Sequence, residues 1–101
     1  MDSCIPEEFK EIIDNITSDG AIYRCQGLIA AVKAKATDPR VVQAIDSLKT
    51  DQVKILGRKV SSYAWAALSV LGVEEYTGTD PEVTDLIPFF ISEIEHRGIE
   101  P

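Results

Sequence analysis

The sequence predicts an all-α domain of five helices, arranged as an α-α superhelix of stacked helical hairpins, and three observations predict it. Apolar residues recur at helical spacing from end to end, with no alternating run that reads as a strand. Pro6, Pro39 and Pro81 each stand where a helix begins, at intervals in the range of helical repeat arrays. The segment VSSYAWAALSVLG, residues 60–72, sets Ser and Ala where a packed helix must let a neighbour come close. The domain then reads as hairpins over 6–36 and 39–72 with a capping helix over 81–96.

The first helix opens at Pro6 and stacks Ile5, Phe9, Ile12, Ile13 and Ile16 on one face. Its first turns carry Glu7, Glu8 and Glu11, the charge a helix N-terminus favours. Thr17 to Gly20 supplies stop and cap chemistry. A second helix over 21–36 turns Ile22, Cys25, Leu28, Ile29 and Val32 inward. The third starts at Asp38-Pro39, a capping carboxylate followed by the residue whose missing N–H costs nothing at the first helical position. Val41, Val42, Ile45 and Leu48 form its stripe.

The fourth helix is expected over 54–72, burying Leu56, Val60, Tyr63, Ala64, Ala67, Leu68 and Leu71 and ending on Gly72 as its C-terminal cap. A second Thr-Asp-Pro, residues 79–81, opens the fifth, with Val83, Leu86, Ile87, Phe90, Ile91 and Ile94 on its apolar side. Pro88 lies inside that run and should kink or break the helix near Leu86.

At 101 residues, 45% apolar and 27% charged, the chain suits one globular domain with a single core. No run approaches the roughly 18 apolar residues of a membrane span. MDSCIPEEFKEI carries acids where a secretory signal carries a basic and then an apolar segment, so a cytoplasmic location is expected. Cys4 and Cys25 lack CxxC spacing, and His96 is the single histidine, so neither a metal site nor a cofactor is indicated; two reduced thiols, at least one buried on a helix, are expected. No phosphate loop or nucleophile elbow occurs. Catalysis would need a pocket joining Tyr63, Cys25 and several carboxylates. His96 and Arg97, near the last helix's end, suit its dipole better than acid–base chemistry.

The fourth helix also carries a family resemblance. Val60, Ala64, Trp65, Ala67, Leu68, Leu71 and Gly72 fall on the pattern V-R-x-x-A-A-x-A-L-G-x-L-G of the second helix of a HEAT repeat, with Trp65 for an alanine. DPRVVQAIDSL, residues 38–48, looks like the family's first helix. Residues 37–72 resemble the family best, 6–36 weakly, and the last helix stands as a half repeat. Ser61 replaces the family's arginine and Ser69 its glycine, which removes the usual ladder of ion pairs between repeats. The resemblance implies a non-enzymatic binding scaffold with its second helices lining a concave face. An unrelated five-helix bundle with an Ala-rich central helix is the alternative.

Charge is uneven. Residues 1–19 carry net −5, residues 20–60 net +5 and residues 61–101 net −7, for −7 overall. Arg24, Lys33, Lys35, Lys54, Arg58 and Lys59 supply most of the middle charge, and two readings stand: a basic inner patch for phosphate or an acidic segment, or solvated bases paired with nearby acids. The acidic body argues against duplex DNA. Trp65, with Ser61 and Ser62 close by, reads either as an exposed anchor or as core. Glu82, Asp85 and Glu93 offer an acidic alternative surface.

Two functions are expected. One is a non-enzymatic module that binds another protein, of inhibitor or immunity type, blocking a basic partner through its acidic ends. The other is phosphate or nucleic-acid binding by Arg24, Lys54, Arg58 and Lys59. No membrane partner is expected, and the chain should be a monomer or a small homo-oligomer.

Overall fold

A computed structural model of the protein describes residues 7–99, with side chains to residue 94. Pro6, Ile5 and Cys4, and the side chains of His96 and Arg97, lie outside the described residues. The domain is all-α: α1 (Glu7–Ile16), α2 (Ala21–Lys33), α3 (Pro39–Asp46), α4 (Val60–Leu71) and α5 (Pro81–Ile99), with a two-stranded antiparallel ribbon, β1 (Lys54–Ile55) and β2 (Arg58–Lys59), inserted before α4.

Helix boundaries follow their local chemistry. Asp38 caps α3, its carboxylate accepting from the Arg40 amide at 2.9 Å, with Pro39 in the first turn. Asp80 repeats the device on α5, accepting from the Glu82 amide at 2.9 Å. Gly72 ends α4 at φ +75°, and the Val73 amide folds back onto the Leu68 carbonyl. The second helix stops at Lys33, short of the expected residue 36, because Lys35 takes φ +52° and the Ala36 amide returns to the Ala31 carbonyl.

The start of the fourth helix and the run through Pro88 both depart from expectation. The fourth helix starts at Val60, not at residue 54, since Leu56 and Gly57 adopt φ +55° and +83° and turn residues 54–59 into a hairpin. Positive φ at both central residues is the condition for the tight turn whose twist matches antiparallel strands. Pro88 does not break α5, which runs unbroken from Pro81 to Ile99. Pro88 is exposed, so the internal hydrogen bond its missing amide costs the helix lies on the solvent side.

Packing puts α4 at the centre. Val60, Ser61, Ser62, Tyr63, Ala64, Ala66, Ala67 and Leu68 are all buried, so this helix is covered nearly all round. Helices α1 and α2 pack as a hairpin; Gly27 makes their contact close, since a Cβ there would lie 2.8 Å from the Ile16 amide nitrogen. Contacts between α1 and α3, and between α2 and α4, set two layers. Across α4 runs α5: Glu82 reaches Ser62, Phe90 meets the Tyr63 ring edge-on at 6.5 Å, and Glu93 reaches Lys33 at the far end of α2. The core joins Ile16, Leu28, Val32, Val41, Ile45, Val60, Leu68, Val83 and Phe90, each 0–1% exposed. Ile22 and Ile91, expected inside, are 55% and 41% exposed.

Candidate functional site

The bases expected on one helical face are spread over other elements. Helix α4 carries none of them: Lys54, Arg58 and Lys59 lie on the ribbon, and Arg24 and Lys33 sit at opposite ends of α2. Arg24 is held within the fold. Its Nη1 donates to the Ser18 and Asp19 carbonyls at 2.8 and 2.9 Å, and its Nε stands 2.9 Å from Asp51 Oδ2, an ion-pair distance without hydrogen-bond alignment. Lys59 pairs with Glu82 at 3.2 Å and with Asp80 at 3.6 Å. Lys54 is exposed on β1. Of the two charge readings, the geometry supports bases matched with nearby acids.

Glu82 is a structural joint rather than part of an outer acidic face. Lys59, the N-terminal cap of α4, has no capping side chain. A helix start leaves unpaired amides, and here they are met from elsewhere in the chain: Glu82 Oε1 accepts from the Lys59 amide at 3.0 Å and the Ser62 hydroxyl at 2.8 Å, the Val53 carbonyl takes the Val60 amide, and the Asp51 carbonyl takes the Ser61 amide. Hydrogen bonds from the Lys59 backbone, then from Ser62, stabilise the ionised carboxyl and lower the pKa of Glu82 to about 2. Ser61 and Ser62 are buried at this joint and offer nothing to a partner. Glu93 faces Lys33 at 3.3 Å.

Trp65 is half-buried between two neighbours. Tyr76 lies 5.4 Å away between ring centroids, and Lys49 Nζ sits 4.1 Å above the indole, itself ion-paired to Asp46 and Glu74 at 2.7 and 2.6 Å. This stack fastens the loop after α4 to the turn after α3, which accounts for Trp65 without an outside partner.

An open cleft of about 190 Å³ separates the ribbon from α5, lined by Leu56, Arg58, Tyr63, Asp85, Leu86 and Phe89. Leu56 is 87% exposed at the ribbon's tip and Phe89 39% exposed across from it. Tyr63 forms the floor; its hydroxyl donates to the Ile55 carbonyl at 3.0 Å, and burial raises its pKa. At the rim, Arg58 Nη2 and Asp85 Oδ2 stand 4.0 Å apart. The cleft thus holds Tyr63 and one carboxylate, while Cys25 does not line it; that thiol is buried, and desolvation raises its pKa to about 11. Apolar walls with a polar rim suit the binding of an apolar side chain.

Sequence reasoning missed Leu56 as a surface residue because its spacing from Val60 and Tyr63 fits a helix. The signal was Gly57, a turn residue that follows Leu56 directly and precedes Arg58 and Lys59. Phe89 was missed because it neighbours the buried Phe90.

No known protein family, curated protein or solved structure matches the chain. Among the described residues no helix is long and apolar enough to cross a membrane, and no group of His, Cys, Asp or Glu is placed to hold a metal ion.

Proposed function

We propose that the protein is a non-enzymatic module that binds another protein through the cleft between the ribbon and α5, working in the cytoplasm as an inhibitor or immunity-type protein for a basic partner. One observation carries this reading: a leucine, 87% exposed, stands at φ +55° on the tip of a two-residue turn. An exposed leucine in a left-handed conformation costs about 1–2 kcal/mol. Folding gains almost nothing from the side chain there, so the residue suits a contact outside the fold. The neighbouring Phe89 and the net charge of −7 support a partner with an apolar anchor and a basic surface.

The HEAT-like resemblance fits a binding scaffold. Packing of α1 on α3 and of α2 on α4 supports it, while α5, which crosses both second-layer helices, departs from a continuing solenoid. Phosphate or nucleic-acid binding has weaker support, because Arg24, Arg58 and Lys59 each face an acid.

Co-precipitation with candidate basic proteins tests the reading, comparing the unaltered chain with Leu56→Asp and Phe89→Ser at low and high salt. Loss of capture in both variants, with weaker capture at high salt, is the expected result. Equal capture by all three forms would remove the cleft from the account.

A further inference from the structure

The connection from α4 to α5, residues 73–80, is fastened at both ends. At one end Lys49, in the turn after α3, holds it: Nζ lies 2.7 Å from Asp46 Oδ1, 2.6 Å from Glu74 Oε1 and 4.1 Å from the centre of the Trp65 ring. The Lys49 side chain is only 19% exposed, so these pairs are less screened than those of a free surface lysine. Without its charge, two carboxylates would converge on the same point beside an indole, and like charges so placed repel.

Midway, Tyr76 stacks on Trp65 at 5.4 Å and turns its hydroxyl to the start of α5, where it accepts from the Asp80 amide at 2.9 Å. Gly78 leaves room for that turn, since a Cβ there would run into the Tyr76 hydroxyl. At the far end Asp80 caps α5 and stands 3.6 Å from Lys59 Nζ, while Glu82 holds the Lys59 amide at 3.0 Å. Both walls of the cleft follow from that end: Asp85, Leu86 and Phe89 on α5, and Leu56 and Arg58 on the ribbon that Lys59 closes. A continuous series of contacts thus leads from Lys49 to a cleft that Lys49 does not line.

We propose that residues 73–80 form a strap that sets the width of the cleft from outside it: the Lys49 ammonium clasps the strap against Trp65, and the strap seats the start of α5 against the ribbon through Tyr76, Asp80 and Glu82. Lys49 is a positioning residue, and the strap works whether or not a partner binds. Loss of its charge frees the strap and loosens both walls together.

The full chain alone tests this, without any partner, so failure here is distinct from failure of the binding reading. Trp65 is the single tryptophan, and its quenching by acrylamide reports on the clasp, while amide hydrogen exchange and amide resonances report on the cleft. Lys49→Met should make Trp65 more readily quenched, speed exchange of the Asp80, Glu82 and Lys59 amides by roughly three- to thirtyfold, and shift the Leu56 and Phe89 resonances. Lys49→Arg, which keeps the charge, should restore most of the protection. Tyr76→Phe keeps the ring and removes the acceptor of the Asp80 amide, so it should speed exchange at Asp80 and Lys59 with little change in Trp65 quenching. Changes in Lys49→Met confined to residues 46–49, 65 and 74–76 would overturn the proposal, because the clasp would then be a local fastening. Equal acceleration at Leu28, in the core of α2, would also overturn it, as general destabilisation. If Lys49→Met does not fold, Tyr76→Phe decides, and an unchanged Lys59 amide there counts against the strap.

Discussion

Replacing Leu56 with asparagine should make the domain more stable. The side chain is 87% exposed, so only about an eighth of it is withdrawn from water. Fully burying a leucine contributes roughly 1.5–3 kcal/mol, which puts its packing here at about 0.2–0.4 kcal/mol. Against this stands the φ of +55°, a conformation that costs an ordinary residue about 1–2 kcal/mol and that asparagine, the residue favoured before glycine in such turns, tolerates. The balance favours Leu56→Asn by about 0.5–1.5 kcal/mol. Urea unfolding would read this as a higher midpoint at unchanged slope, and a thermal melt as a rise of roughly 2–12 °C for a domain of this size. A fall in stability would refute the reasoning. It would mean that Leu56 holds the ribbon against Tyr63 and Leu86, and that its exposure reflects no outside contact.

Other outcomes test the frame around the site. The carboxyl of Glu82 has a pKa of about 2 in the fold against an ordinary 4.5, so its contribution is complete above pH about 4.5 and is lost as pH falls toward 2. Glu82→Gln should lower the melting temperature at neutral pH and flatten the acid limb of a stability–pH profile measured by circular dichroism. Gly27→Ala pits a helix-propensity gain of about 1 kcal/mol against overpacking of about 1–3 kcal/mol where the new Cβ would meet Ile16 at 2.8 Å. Net destabilisation by up to about 2 kcal/mol is expected in urea, because one atom it meets is backbone nitrogen. In a Cys4→Ser background, the buried thiol of Cys25 should react with an aromatic disulfide reagent only after denaturant is added.

Local chemistry was readable from the chain. Asp38-Pro39, Asp80-Pro81 and Gly72 announce their boundaries through caps that involve neighbours in sequence. The Ser- and Ala-rich run 60–72 foretold a central, closely packed helix, and α4 is buried nearly all round. Long-range partners were not readable. Nothing in the sequence pairs Glu82 with the amide of Lys59, twenty-three positions earlier, or lays α5 across α4 toward Lys33.

The ribbon was hidden for a different reason. Two-residue strands are too short to show alternation, and Ile55 and Leu56 fall on the helical period of α4. The turn at Leu56-Gly57 therefore decides the structure of six residues against their apolar spacing. It also moves Lys54, Arg58 and Lys59 off the fourth helix and away from the helical positions that the apolar spacing gives them.

A photo-crosslinking residue placed at position 56, in the cells that make the protein, asks most directly whether the cleft meets a partner. The account predicts one discrete adduct with a basic protein. The adduct should be lost when Phe89 is also changed to serine, and absent when the crosslinker replaces Glu8 on the exposed side of α1. Equal, diffuse labelling from positions 56 and 8 would contradict it.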